Sequence, residues 1–305
     1  MSDKPVVVAI GVFDGVHAGH RTVVAHALDL AQQVNGTLIV ASFDPSPKAF
    51  LWPDSFDGVL TLPARRRELL LAAGADHVEF LKFDSAMAGM SPDEFIDSIV
   101  INELGADTVV VGHNFTFGHK AAGTVETLSD LAKKFGINVS VVPLSGDGQY
   151  WSSTRIRKAV LSGDVALARE LLARPHQLSG EVVHGDHRGR ELGYPTANMD
   201  VAGGLVIPAD GVYSAIATIG ELTAPAAVSV GTNPTFDGVE GRRVEAFLID
   251  QPELDLYGQT LTLDFIDHVR EMTAFAGIDE LLVAMAGDVQ RASAQIHDFL
   301  DVTAP

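Results

Sequence analysis

Apolar and polar positions follow two different periods along this chain, and the change from one to the other divides it. Residues 6–10 are an unbroken apolar run ahead of a glycine-rich turn, and the residues after His20 take up a helical period. The alternation then repeats. Residues 37–43 read as a strand, 63–73 as a helix, 77–83 as a strand, 92–104 as a helix, 107–112 as a strand, 125–135 as a helix and 138–144 as a strand. Strands without a polar face that alternate with helices predict βαβ units, and so an α/β domain with a parallel sheet covered on both faces. Ligands of such sheets sit beyond the carboxyl ends of the strands, where residues 13–20, 44–47 and 113–118 fall.

A turn-rich stretch at 145–149 separates this pattern from Ser152-Ser153-Thr154-Arg155-Ile156-Arg157, which opens a helix running to about Leu161. The hydroxyls suit an N-cap. Two arginines at the positive end of a helix dipole are either compensated by a bound anion or are ordinary solvated surface residues. A second short helix follows at 165–173. From about Arg174 the helical period vanishes, and β-type runs appear at 180–184, 211–219, 226–230, 244–249 and 261–267. Five or six short strands with turn signals between them predict a small antiparallel barrel. The helical period returns at 278–300, as a terminal helix packed on the barrel. The boundary falls near 174–180, giving domains 1–174 and 175–305.

Composition narrows the chemistry. The chain has 305 residues, enough for two cores, with 47% hydrophobic and 20% charged residues. The absence of cysteine excludes disulfides, thiolate catalysis and cysteine-held zinc. A formal net charge of −19 argues against non-specific nucleic-acid binding. It also requires that any phosphate site be made locally, from amides, histidines, a few arginines and a divalent cation. The apolar runs are far short of a membrane span, and residues 1–5 lack the features of a signal peptide, so a cytoplasmic protein without membrane partners is expected. Self-association is left open.

The candidate chemistry starts in the first turn, Gly11-Val12-Phe13-Asp14-Gly15-Val16-His17-Ala18-Gly19-His20. A strand, a glycine-rich turn and a helix start converge backbone amides and the helix dipole on one point, a seat for a phosphate chain. Two histidines three apart read equally as metal ligands on one helical face. Taken together, G-x-F-D-G-x-H-x-G-H and S-S-T-R-I-R resemble the nucleotidyltransferase superfamily. Further on, the segment that starts His184-Gly185 and reaches His187 and Gly189, then Gly193-Tyr194-Pro195-Thr196-Ala197-Asn198, resembles the riboflavin kinase module. So do Asp210-Gly211-Val212-Tyr213, Gly231-Thr232-Asn233-Pro234-Thr235-Phe236 and Val244-Glu245-Ala246-Phe247. In this order the two modules resemble the bacterial bifunctional riboflavin kinase/FMN adenylyltransferase family, over about residues 6–300.

The resemblance implies a Rossmann-like nucleotidyltransferase domain followed by a six-stranded riboflavin-kinase barrel with a terminal helix. It implies ATP, riboflavin, FMN, FAD and pyrophosphate as substrates and products, with Mg²⁺ as cofactor. His17 and His20 are then catalytic donors to ATP phosphates. Gly11, Phe13, Asp14, Gly15, Asn114, Ser152, Thr154, Arg155 and Arg157 are nucleotide-binding, with the arginines on the outgoing phosphates. Phe115 and Phe117 either stack on a ring or belong to the core. In the barrel, Glu245 is the expected base and Thr196 and Asn198 the Mg²⁺ ligands. Gly185, Gly189 and Gly193 let the backbone approach phosphate, while His184 and His187 lie near nucleotide without forming a zinc site. Two positions depart from the family pattern. Ser46 stands where a histidine is common and Thr124 where an acidic residue is usual, so altered affinity is expected without loss of reaction. The residues also leave open a single-activity kinase with an inactive first module, an adenylyl- or cytidylyltransferase for another acceptor, and a non-catalytic flavin-binding protein.

Overall fold

The computed structural model describes residues 4–143, 151–185, 193–234, 240–251 and 255–303, and the chain divides into two compact units, 1–153 and 154–305. In the first unit β1 (Val6–Ile10), α1 (Ala18–Gln33), β2 (Thr37–Asp44), α2 (Pro47–Leu51), α3 (Pro63–Ala72), β3 (His77–Lys82) and α4 (Ser85–Gly89) follow in order. A short helix α5 (Pro92–Glu94) then runs into π-type turns (Phe95–Glu103), before β4 (Thr108–Gly112), α6 (Val125–Phe135) and β5 (Asn138–Val142). All strand pairs are parallel, in the order β3-β2-β1-β4-β5.

The inner strands β1, β2 and β4 have no polar face because both sides are covered. Val7, Ala9, Leu38 and Val40 pack with Val24 and Ala27 of α1 and Leu70 of α3. On the other side Val8, Ile10, Ala41 and Val109 meet Ile96, Ile99 and Leu128. The order reverses at β1, which pairs with β2 on one side and β4 on the other. The turn after β1 and the loop after β4 therefore flank the switch point of the sheet.

The second unit holds most of α7 (Ser153–Leu161), then α8 (Val165–Leu172), and a closed antiparallel barrel. Its strands are β6 (His176–Val183), β7 (Ala197–Val201), β8 (Gly211–Ile219), β9 (Leu222–Pro234), β10 (Glu240–Leu248) and β11 (Thr260–Arg270), ordered β10-β7-β6-β11-β8-β9. Alternate residues fill the interior, among them Leu178, Met199, Ala215, Val228, Val244 and Leu263. Between α7 and α8 the chain turns at Gly163, at φ 82°, where a Cβ would stand 2.9 Å from the Tyr213 hydroxyl.

Helix α9 (Ile278–Thr303) lies on the outer face of the barrel, against β8, β9 and β11, with Ala292 among Ala227 and Ile249. Its charged lock is Asp288. That carboxylate accepts from Arg270 Nε and Nη2, both at 2.8 Å, and from Arg291 Nη2 at 2.7 Å.

The expected α/β domain, barrel and terminal helix are all present, and the strand limits differ in informative ways. β6 begins at His176, ahead of the 180–184 run, because it continues past Gly180 in register with β11. β9 extends well beyond 226–230 through Pro225 and Pro234, pairing with β10 over residues 226–234 and with β8 at Pro225. β7, which is not among the β-type runs of the sequence, is a full member of the barrel between β10 and β6.

Candidate active sites

The turn between β1 and α1 keeps its backbone in the left-handed region, with φ 50° at Phe13, 83° at Gly15 and 42° at Val16. Glycine adopts this freely, whereas Phe13 and the β-branched Val16 each cost on the order of 1–3 kcal/mol. A buried network holds them there. The Asp14 carboxylate accepts from the Leu60 N–H (2.9 and 3.1 Å), the Thr61 N–H (3.1 Å) and the Thr61 hydroxyl (3.3 Å). Thr61 Oγ1 in turn accepts the Gly15 N–H at 3.0 Å. Arg66, on α3 and 2% exposed, donates to the carbonyls of Val12 and Phe43 and to Ser42 Oγ, each at 3.2 Å, and to the Thr61 carbonyl at 3.1 Å. Its Nη2 lies 3.7 Å from the Asp14 carboxylate. Burial pushes the guanidinium pKa down, against the opposing pull of Asp14 and Asp44.

His17 is the N-cap of α1, and its Nδ1 accepts the His20 N–H at 3.4 Å. The proton of a neutral His17 ring therefore sits on Nε2. The His17 and His20 rings stack at 3.6 Å and 20°, and Phe13 meets His20 edge-on at 5.3 Å. Burial first, and then the charges of His17 and Arg66, hold the His20 imidazole well below its ordinary pKa. His20 Nδ1 is buried with no hydrogen-bond partner among the described residues. An imidazole pair at the positive end of a sixteen-residue helix is suited to an oxyanion chain. His17 Nδ1 is committed to the cap, which leaves its Nε2–H to donate.

The other first-unit residues take varied places. Ser153 Oγ, in the last residue of the unit, donates to the Asp14 carbonyl at 2.8 Å. Asn114 is exposed just after β4. Phe117 is buried beside Phe95 and stacks with Phe115 at 5.6 Å, so both aromatics serve the core. Ser46 caps α2, accepting the Ala49 N–H at 3.3 Å, and Thr124 caps α6, accepting the Thr127 N–H at 3.4 Å. Both departures from the family pattern thus have local structural work. Ser152 is half-buried, and Thr154, Arg155 and Arg157 lie in the second unit, where Arg157 is buried and its Nη2 reaches Thr154 Oγ1 at 3.5 Å.

In the barrel, β10 places Glu245 opposite Asn198 of β7 on one side and Ser229 of β9 on the other. The inward positions of β10 are Val244, Ala246 and Leu248, so Glu245 projects from the outer face. Thr196 Oγ1 donates to Glu245 Oε2 at 3.5 Å. Gly185 covers this group so closely that a Cβ there would fall inside the Asn198 amide. Thr196 and Asn198, two apart in sequence, are therefore gathered with the distant Glu245 and with Gly185. Gly193, at φ 81°, stands in open space, and His184 stacks on Tyr257 at 3.9 Å. His187 and Gly189 lie outside the described residues.

Sequence reasoning did not single out Thr61, Arg66, Ser229 or Arg242. Arg66 is hidden in an Arg65-Arg66-Arg67 run that looks like a solvated face, and only the helical phase of α3 turns it inward. Arg242 holds the 207–210 segment by donating to the carbonyls of Ile207 (3.1 Å) and Pro208 (3.0 Å) and pairing with Asp210 at 3.2 Å.

Comparison with known proteins matches both halves. The family model for FAD synthetase covers residues 1–155, and that for riboflavin kinase covers residues 172–296. The bifunctional riboflavin kinase/FMN adenylyltransferase of Bacillus subtilis is 34% identical over 94% of this chain and 91% of its own. That of Escherichia coli K12 is 32% identical over 98% and 94%. A crystal structure described as a macrolide-efflux protein from Streptococcus pneumoniae superposes with a TM-score of 0.87 at 35% identity, covering 96% of this chain and 95% of that one. Among the described residues no helix is long and apolar enough to cross a membrane.

Proposed function

Because this chain belongs to the bifunctional riboflavin kinase/FMN adenylyltransferase family, we propose how its residues divide a two-step transferase between them. Riboflavin is phosphorylated by ATP to FMN in the barrel, and FMN is adenylylated by ATP to FAD and pyrophosphate in the first unit. The functional division we assign is 1–174 for the adenylyltransferase and 175–305 for the kinase.

In the kinase step the 5′-hydroxyl of riboflavin gives its proton to Glu245, its oxygen bonds to the γ-phosphorus of ATP, and ADP leaves. The observation that carries this reading is the register that sets Glu245 beside Asn198 with the Thr196 hydroxyl on its carboxylate. One hydroxyl and one amide oxygen, with Gly185 packed closely on that amide, suit a hard cation whose shell is completed by phosphate oxygens. Thr196 and Asn198 would hold Mg²⁺, which when bound neutralises phosphate charge. Gly185, Gly189 and Gly193 allow close approach of the nucleotide phosphates.

In the adenylyl step a phosphate oxygen of FMN attacks the α-phosphorus in line and the bond to the outgoing pyrophosphate breaks. No covalent enzyme intermediate is needed, so catalysis is positioning and charge stabilisation. His17 and His20 donate to the phosphates. Gly11, Phe13, Asp14 and Gly15 supply the turn, and Asn114, Ser152, Thr154, Arg155 and Arg157 complete nucleotide binding, the arginines on the outgoing β- and γ-phosphates. The reading assigns the protein to the cytoplasm, where riboflavin and ATP meet. Incubation with riboflavin, ATP and Mg²⁺, with the flavins resolved over time, tests it: FMN appears first and FAD follows. FMN that never proceeds to FAD would sink the bifunctional reading.

A further inference from the structure

The strained turn is pinned from both sides by one side chain, that of Arg66. Arg66 Nη1 holds the Val12 carbonyl, to which Ser42 Oγ also donates at 2.8 Å, and so fixes the chain just before Phe13. Arg66 Nη2 holds the Thr61 carbonyl and faces the Asp14 carboxylate, and so fixes the chain just after it. Thr61 then ties down Gly15. Between these anchors Phe13 is 2% exposed and its ring meets His20, while the following residues lead directly into the His17 cap.

We propose that Arg66 is the positioning residue of the adenylyl-transfer turn, setting the places of His17 and His20 through Val12, Asp14 and Thr61 without touching nucleotide. The proposal rests on the reading of the first unit given above. It also gives Asp14 a definite part: its carboxylate accepts from Leu60 and Thr61 and faces Arg66, so that it joins the turn to the clamp. A planar guanidinium is required, because its two arms serve carbonyls of separate segments at once. An ammonium on a flexible stem keeps the charge and loses the fork.

The full-length protein carries the test. In Arg66→Lys the kcat for FMN to FAD should fall about 100-fold, the loss expected when reacting groups shift by an ångström. The KM for ATP in that step should change little, and riboflavin phosphorylation should keep its wild-type rate. The ring-proton resonances of His17 and His20, displaced by mutual stacking at 3.6 Å, should move towards those of unstacked histidine. A residue that only stabilised the fold would lower the unfolding midpoint and leave those resonances where they are. Wild-type kcat with stacked resonances in a folded Arg66→Lys protein overturns the proposal. Should that variant not fold, Thr61→Val, which removes one buried hydroxyl at constant shape, decides: a kcat loss of about tenfold supports the clamp, and no loss overturns it. If the wild type makes FMN but no FAD, the functional reading falls, and the histidine resonances of the variants then judge the clamp alone.

Discussion

The two sites hold their chemistry in opposite ways. In the first unit the two histidines are neighbours in sequence, and the backbone leading into them is forced into conformations that Phe13 and Val16 would not choose. The compensating contacts arrive from far along the chain, at Leu60, Thr61 and Arg66. In the barrel, Thr196 and Asn198 are separated from Glu245 by several strands, and ordinary antiparallel register gathers them. A strained turn is broken by removing a remote clamp. A strand-built site is broken by anything that shifts register or loosens the barrel.

The sharpest test of that contrast is separation of function. Glu245→Ala should lower FMN formation from riboflavin by about 10²–10⁴-fold, the contribution of a general base, while FMN supplied directly is still converted to FAD. His17→Ala with His20→Ala should do the reverse, with FAD formation down by at least about 10²-fold for the lost donors. Chromatographic flavin analysis reads both, and loss of both products from either variant breaks the picture of two independent sites.

Stability separates the units next. Asp288→Ala leaves Arg270 without its bidentate partner and should destabilise the second unit by about 3 kcal/mol. Calorimetry should show the second unit's transition moving down while the first unit's holds. Acid should act on the same unit. His176 is buried, its Nε2–H donates to the Val206 carbonyl at 2.8 Å, and burial lowers its pKa to about 4. Its folded form resists protonation, so the unfolded chain takes up the proton first as pH falls. The contribution of the neutral ring is complete above about pH 6.5 and is lost progressively towards pH 4, about 3 kcal/mol in all. Urea unfolding of wild type and His176→Gln at about pH 7 and about pH 4.5 should give a much smaller difference in the variant. The smallest effect belongs to a cap: Thr124→Ala removes the acceptor for the Thr127 N–H and should cost the first unit about 1 kcal/mol.

Local patterns made the parallel sheet, α6 and the terminal helix legible, because their periods are long and uninterrupted. The barrel strands were legible as strands but not in extent. The Gly180 position in β6 and the prolines of β9 look like breaks in a local pattern, and only cross-strand pairing carries the strands through them. His17, His20 and Glu245 stood out through motifs. Thr61 and Arg66 did not, since a buried pair to Asp14 is a relation between distant residues and leaves no local trace. Ser46 and Thr124 read from the sequence as departures that alter affinity without loss of reaction, and each finds a place as an N-cap.

The position of β11 has a consequence for how the chain is made. It pairs with β6 on one side and β8 on the other, and it carries the Arg270 that clasps α9. The sheet of the first unit is complete once residue 142 has been synthesised. The barrel must wait for residues 260–270, and until then β6 and β8 present bare edges, the features most prone to pairing with another chain. Synthesis therefore passes through a nascent chain with one finished unit and one open one, and the last strand to emerge is the one that removes the hazard.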